Sequence, residues 1–96
     1  MKTRRLEKWI KGVSNHRRIE ILDLLQRKPK LSLINISHEL KVNFKTIGEH
    51  VRRLHIAELV SKHNLARDVE HELTKRGRHV LTFLRTLEEK EKYFTE

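Results

Sequence analysis

The sequence predicts a mainly α-helical domain with one small β-hairpin and an extra helix at each end of the chain. Three observations carry this. Apolar residues recur at helical spacing through five segments, and the spacing changes to an alternation only across residues 59–74. The single proline, Pro29, breaks the chain where one helical pattern stops. And 96 residues, with no internal repeat or linker, suit one domain spanning 1–96 with a small core.

The first helix is expected within residues 1–13. Leu6, Trp9, Ile10 and Val13 share one face of it. Ser14 or Asn15 can cap the next helix. That one runs through "HRRIEILDLLQRK", and its wide apolar arc suits a central position. "LSL", residues 31–33, suits a brief strand. Residues 34–56 then hold two short helices joined at Lys41-Val42, the second capped by Asn43. The hairpin is expected over 59–74 with its tip at Ala66-Arg67-Asp68. That register sets Leu65 opposite Val69, His63 opposite His71 and Lys62 opposite Glu72. Thr74 caps a last helix over 75–94, striped by Val80, Leu84 and Leu87 with Phe83 alongside.

Helices followed by a hairpin and a closing helix are a winged-helix layout. The pair joined at Lys41-Val42 is its helix-turn-helix. On a helical wheel, Ile47, Val51 and Leu54 gather on one side of "NFKTIGEHVRRL" and must face the core. Lys45, Glu49, Arg52 and Arg53 lie opposite, with Thr46 at an edge. Any surface helix turns charges outward. This one follows a tight turn and precedes a hairpin in a chain of formal charge +9. That position favours double-stranded DNA, because a helix-turn-helix lays its second helix in the major groove.

Lys45 and Thr46 stand in the first turn, where base edges are met. Lys can donate to guanine, Thr can donate, accept or meet a methyl, and Glu49 can accept from cytosine N4. Arg52 and Arg53 suit phosphate, as do Arg18 in the second helix and Lys62 and Arg67 on the wing. Gly48 weakens the helix, and its missing side chain suits close approach to a groove wall or a neighbouring helix.

At this point the sequence resembles the winged-helix regulators of the ArsR type. "SNHRRIEILDLL" is similar to the family's opening pattern, with Arg18 at its arginine position. "LSLINISHELKVNFKTIGEHVRRLHIAELV" follows its helix-turn-helix without a gap, and Thr46, Ile47, His50, Val51 and Leu54 fall on its recognition helix. "LTKRGRHVL" resembles the family's way into the final helix. The resemblance implies a homodimer that binds a two-fold symmetric operator and represses transcription. It also implies that the first and last helices build the dimer, here through Leu6, Trp9, Ile10, Val13, Val80, Phe83, Leu84 and Leu87. Two positions depart from the pattern. Lys41 and Glu58 stand where the family has glycines in turns, so either the turns differ or strain is accepted.

The metal-sensing members carry a cysteine pair that "NISHELK" lacks, and the chain has no cysteine at all. His63 and His71 can begin a zinc site across the hairpin, but no third ligand is near, so no metal and no cofactor is expected. There is no phosphate-cradling glycine loop, HExxH or nucleophile elbow, and no enzymatic activity is expected. Apolar runs are too short for a membrane span or signal peptide, so a cytoplasmic location is expected. Two rival functions remain open to the sequence. One is a winged-helix docking module of a transcription complex. The other is a chromatin-coating protein indifferent to sequence.

Overall fold

The computed structural model describes residues 1–94. Helix α1 spans Thr3–Val13, α2 His16–Arg27, α3 Leu33–Leu40 and α4 Phe44–Ile56. Strands β1 (Val60–Leu65) and β2 (Asp68–Leu73) form an antiparallel wing, and α5 (Lys75–Glu89) closes the chain with a 3₁₀ turn at Glu91–Tyr93. The fold is a winged helix-turn-helix. Its starts follow local chemistry. Asn15, Ser32, Asn43 and Thr74 each accept a hydrogen bond from a backbone N–H in the first turn they precede.

The core lies where α2 meets α3, α4, α5 and the wing's base. Ile21, Leu22, Leu24 and Leu25 of α2 pack with Ile36, Ile47, Val51, Leu54, Leu59, Val60 and Leu81. The wide arc on α2 thus does make it the central helix. "LSL" contributes less strand than expected. Leu31 alone forms a bridge, exchanging backbone hydrogen bonds with His71, and α3 begins at Leu33.

Both turns that flank α4 keep left-handed geometry without glycine. Lys41 has φ 56° and Glu58 φ 64°. At each, two backbone N–H groups return to the helix just ended. Lys41 N reaches His38 O and Val42 N reaches Ser37 O. Glu58 N reaches His55 O and Leu59 N reaches Leu54 O. These paired bonds close each helix with a Schellman motif. Both left-handed turns form without glycine, and the strain is accepted.

The wing's register differs from the expected one by one residue. The tip has two residues, Ala66-Arg67, not three. Leu65 pairs with Asp68, His63 with Glu70, Lys62 with His71 and Val60 with Leu73. Ala66 takes the positive φ, 47°, that the short tip requires. Register is decided at the base instead, where Val60 and Leu73 bury together and His71 bridges to Leu31. A slip of one residue moves side chains to the other face. His63 therefore stands outside, its Nε2 3.4 Å from a Glu72 oxygen, while His71 is buried at 1% exposure. The two imidazoles do not face each other, and Leu65 and Val69 lie exposed near the tip.

Two close approaches fix the segment between α4 and the wing. A Cβ on Gly12 of α1 would lie 2.2 Å from the Ala57 Cβ, and a Cβ on Gly77 of α5 would lie 2.1 Å from the Leu59 carbonyl oxygen. Only glycine permits either crossing. Thr74 adds a tie, donating from its hydroxyl to the Glu58 carbonyl at 2.7 Å.

Candidate nucleic-acid interface

Helix α4 is anchored by Ile47, Val51 and Leu54, all buried. The first turn is set by Asn43, whose side-chain oxygen accepts from Lys45 N at 2.8 Å and from Thr46 N at 3.3 Å. Phe44, Lys45, Thr46, Glu49, Arg52 and Arg53 are all exposed. The flank opposite the anchor is therefore not masked by its own chain, and it is continuous from the N-terminus of α4 to its last turns.

The charges along it are not equivalent. Lys45 makes no ion pair among the described residues. Glu49 accepts two hydrogen bonds from Arg52, at 2.9 and 2.8 Å, and one from Arg53 at 3.0 Å. These bonds lower its pKa to about 2, so the carboxylate stays charged throughout the physiological range. Glu49 is engaged with arginines in the free protein, not standing open to a cytosine. Reading a base with it would require those bonds to break.

Arg18 is tied within its own chain. It is half-buried, and its Nη1 donates to the carbonyls of Lys11 and Gly12 at 3.1 and 3.0 Å. Those carbonyls end α1, where a cation is favoured by the helix dipole. Arg18 thus joins α2 to α1 through Nη1, and it lines an open pocket with Lys8, Lys11, Arg52 and Arg53. His50, between Arg18 and Glu49, is half-buried, and burial pushes its pKa down with the Arg18 charge acting in the same sense. On the wing, Lys62 and Arg67 are both exposed, Arg67 at the tip.

The outer helices form a second surface. Residues of α1 and α5, among them Leu6, Trp9, Ile10, Val80, Phe83 and Leu84, line an open groove of about 580 Å³. Ile10 and Phe83 are just over half exposed, and Leu6 and Leu87 are exposed as well. Arg76 stacks on Trp9, 4.6 Å from the ring centroid. Val13 differs from the rest of this stripe. At 4% exposure it belongs to the chain's own core, because Gly12 lets α1 cross close over Ala57.

Sequence reasoning missed two things here. The Arg18 contacts depend on where α1 ends in space. The Arg76–Trp9 stack joins residues far apart in the chain. Phe44, at the edge of the helical wheel, stays outside the core although apolar.

These features define a winged-helix domain of the DNA-binding kind, with its recognition helix presented. The family model described as bacterial regulatory protein, arsR family, matches residues 15–62, half of the chain. The chain belongs to the ArsR family and is a winged-helix DNA-binding transcription regulator. No curated protein matches it. Solved structures of the same fold include a homodimeric winged helix-turn-helix DNA-binding domain from Mycobacterium bovis, described as a possible ArsR-family regulator. It is 17% identical with TM-score 0.83, over 92% of this chain and 82% of that one. HlyU from Vibrio cholerae is 23% identical with TM-score 0.78, over 91% and 97%. FabT from Streptococcus pneumoniae, solved in complex with DNA, is 19% identical with TM-score 0.68, over 79% and 55%. Among the described residues no helix is long and apolar enough to cross a membrane.

Proposed function

We propose that the protein is a homodimeric repressor that binds a two-fold symmetric operator, with α4 of each subunit in a major groove. The observation that carries this is the exposed flank of α4, cationic at Lys45, Arg52 and Arg53 and opposite a fully buried anchor. Lys45 and Thr46 are the base-reading residues. Arg52 and Arg53 grip phosphate, with Lys62 and Arg67 reaching the backbone or minor groove beyond. Glu49 serves chiefly to hold the two arginines, and reads a base only if DNA displaces them.

The groove between α1 and α5 is the dimer surface in this reading. Leu6, Trp9, Ile10, Val80, Phe83, Leu84 and Leu87 contribute to it, and Val13 supports it from behind. A large exposed apolar face on so small a domain favours a partner. The solved Mycobacterium bovis domain of the same fold is described as homodimeric.

The test is selection of bound duplexes from a random pool, followed by transcription from a promoter carrying the selected site. Enrichment of a palindrome, two chains per duplex by sedimentation, and reduced transcript are expected. Binding with no preferred site would replace this reading with a DNA-coating one. Capture of a transcription-machinery subunit without DNA affinity would replace it with a docking module.

A further inference from the structure

Phe44 is the first residue of α4 and is 49% exposed. It takes no part in the core cluster, nor in any cation–ring contact found among the described residues. Its neighbours Lys45 and Thr46 are exposed too, and the turn that carries all three is held by Asn43. Helical side chains lean toward the helix N-terminus, so a ring at the first position projects from the leading end of the helix. An aromatic ring held there in water is unfavourable unless something apolar receives it.

The surroundings say which kind of receiver. With Lys45 next in the chain and Arg52 and Arg53 further along the flank, α4 is suited to a polyanion and not to an apolar protein surface. Inside a major groove the apolar group on offer is the C5-methyl of a pyrimidine, and Phe is among the side chains that meet it. We propose that Phe44 reads a pyrimidine C5-methyl, that of thymine, next to the base met by Lys45 or Thr46. The proposal rests on α4 lying in the major groove. It adds a contact that specifies sequence without a hydrogen bond.

Deoxyuridine, which lacks only that methyl, tests it directly. Each thymine of the selected site is replaced in turn, and Kd is measured by fluorescence anisotropy. At one position per half-site the parent chain is expected to lose about fourfold in affinity, the equivalent of one buried methyl. A C·G pair placed there, with the cytosine carrying a 5-methyl group, should bind better than the same pair unmethylated. Phe44→Ala should bind the thymine site more weakly and no longer distinguish uracil from thymine. Phe44→Leu, still apolar, should keep part of the distinction. Thermal melts of both variants near the parent's would set folding aside as the cause. Uracil tolerated at every position by the parent, or full discrimination kept by Phe44→Ala, overturns this assignment while leaving the major-groove reading intact. A pool that yields no preferred site overturns both.

Discussion

The two ends of α4 both present exposed polar side chains, to different effect. At the leading end, Asn43 fixes the backbone, and Phe44, Lys45 and Thr46 stand exposed, with no ion pair on Lys45. At the trailing end, Glu49 binds Arg52 and Arg53, so three charges net to one. The turns differ as well. Both residues take left-handed geometry, but Lys41 has no side-chain partner among the described residues. Glu58 ion-pairs with Lys8 at 3.2 Å and with Arg76. The comparison teaches that a surface charge is available or committed according to its neighbours. At one end the cation is unpaired among the described residues, and at the other two cations share one carboxylate.

The largest expected effect tests the leading end. Lys45→Ala should lower the preference for operator over random DNA by roughly tenfold, with little change on random DNA. Competition anisotropy with both duplexes measures it. Equal loss on both would make Lys45 a phosphate contact and erase the difference between the ends. Glu49→Gln tests the trailing end. Releasing Arg52 and Arg53 should raise affinity for random DNA several-fold and steepen the salt dependence by about one. A loss confined to operator DNA would instead assign Glu49 to a base. Arg53→Ala should weaken both duplexes alike and flatten that slope.

A smaller effect separates the turns. Lys41→Gly should stabilise the fold by about 0.5 to 1 kcal/mol, since relief of left-handed strain outweighs glycine's added freedom in the unfolded chain. Glu58→Gly relieves the same strain but removes two ion pairs, so its melting temperature should rise less or fall. Equal gains at both would show that the pairs to Lys8 and Arg76 contribute nothing. The smallest effect concerns acid. Burial lowers the pKa of His71, and the nearby Lys62 and His55 charges add to that despite the opposing bond to Leu31; His50 on α4 shifts in the same direction. A base whose folded pKa lies below its unfolded value binds fewer protons when folded, so stability falls as pH drops below about 6.5. Thermal melts from pH 8 to 5 should show this decline, and His71→Gln should flatten part of it.

Local chemistry made most of the fold legible. Asn43 and Thr74 cap the helices that their positions announce, and the Ile47–Val51–Leu54 stripe is buried as its spacing requires. The wing's register was not legible, because no glycine marks the tip and the Leu65–Val69 pairing looked apolar on both sides. What decides it is the buried Val60–Leu73 pair and the Leu31 bridge, both tertiary. The same holds for the site. The exposed face of α4 follows from periodicity, whereas the fates of Arg18 and Val13 depend on where α1 crosses α4.

Gly12 and Gly77 give that crossing a mechanical meaning. They press the short stretch 57–59 from opposite partners, α1 on one side and α5 on the other, with no slack for even a methyl group. That stretch is the joint between α4 and the wing, since α4 ends at Ile56 and β1 begins at Val60. Close-packed joints shift as blocks, not by gradual yielding. A displacement of α1 or α5 against this stretch would therefore have to be passed on to the end of α4 and the start of the wing.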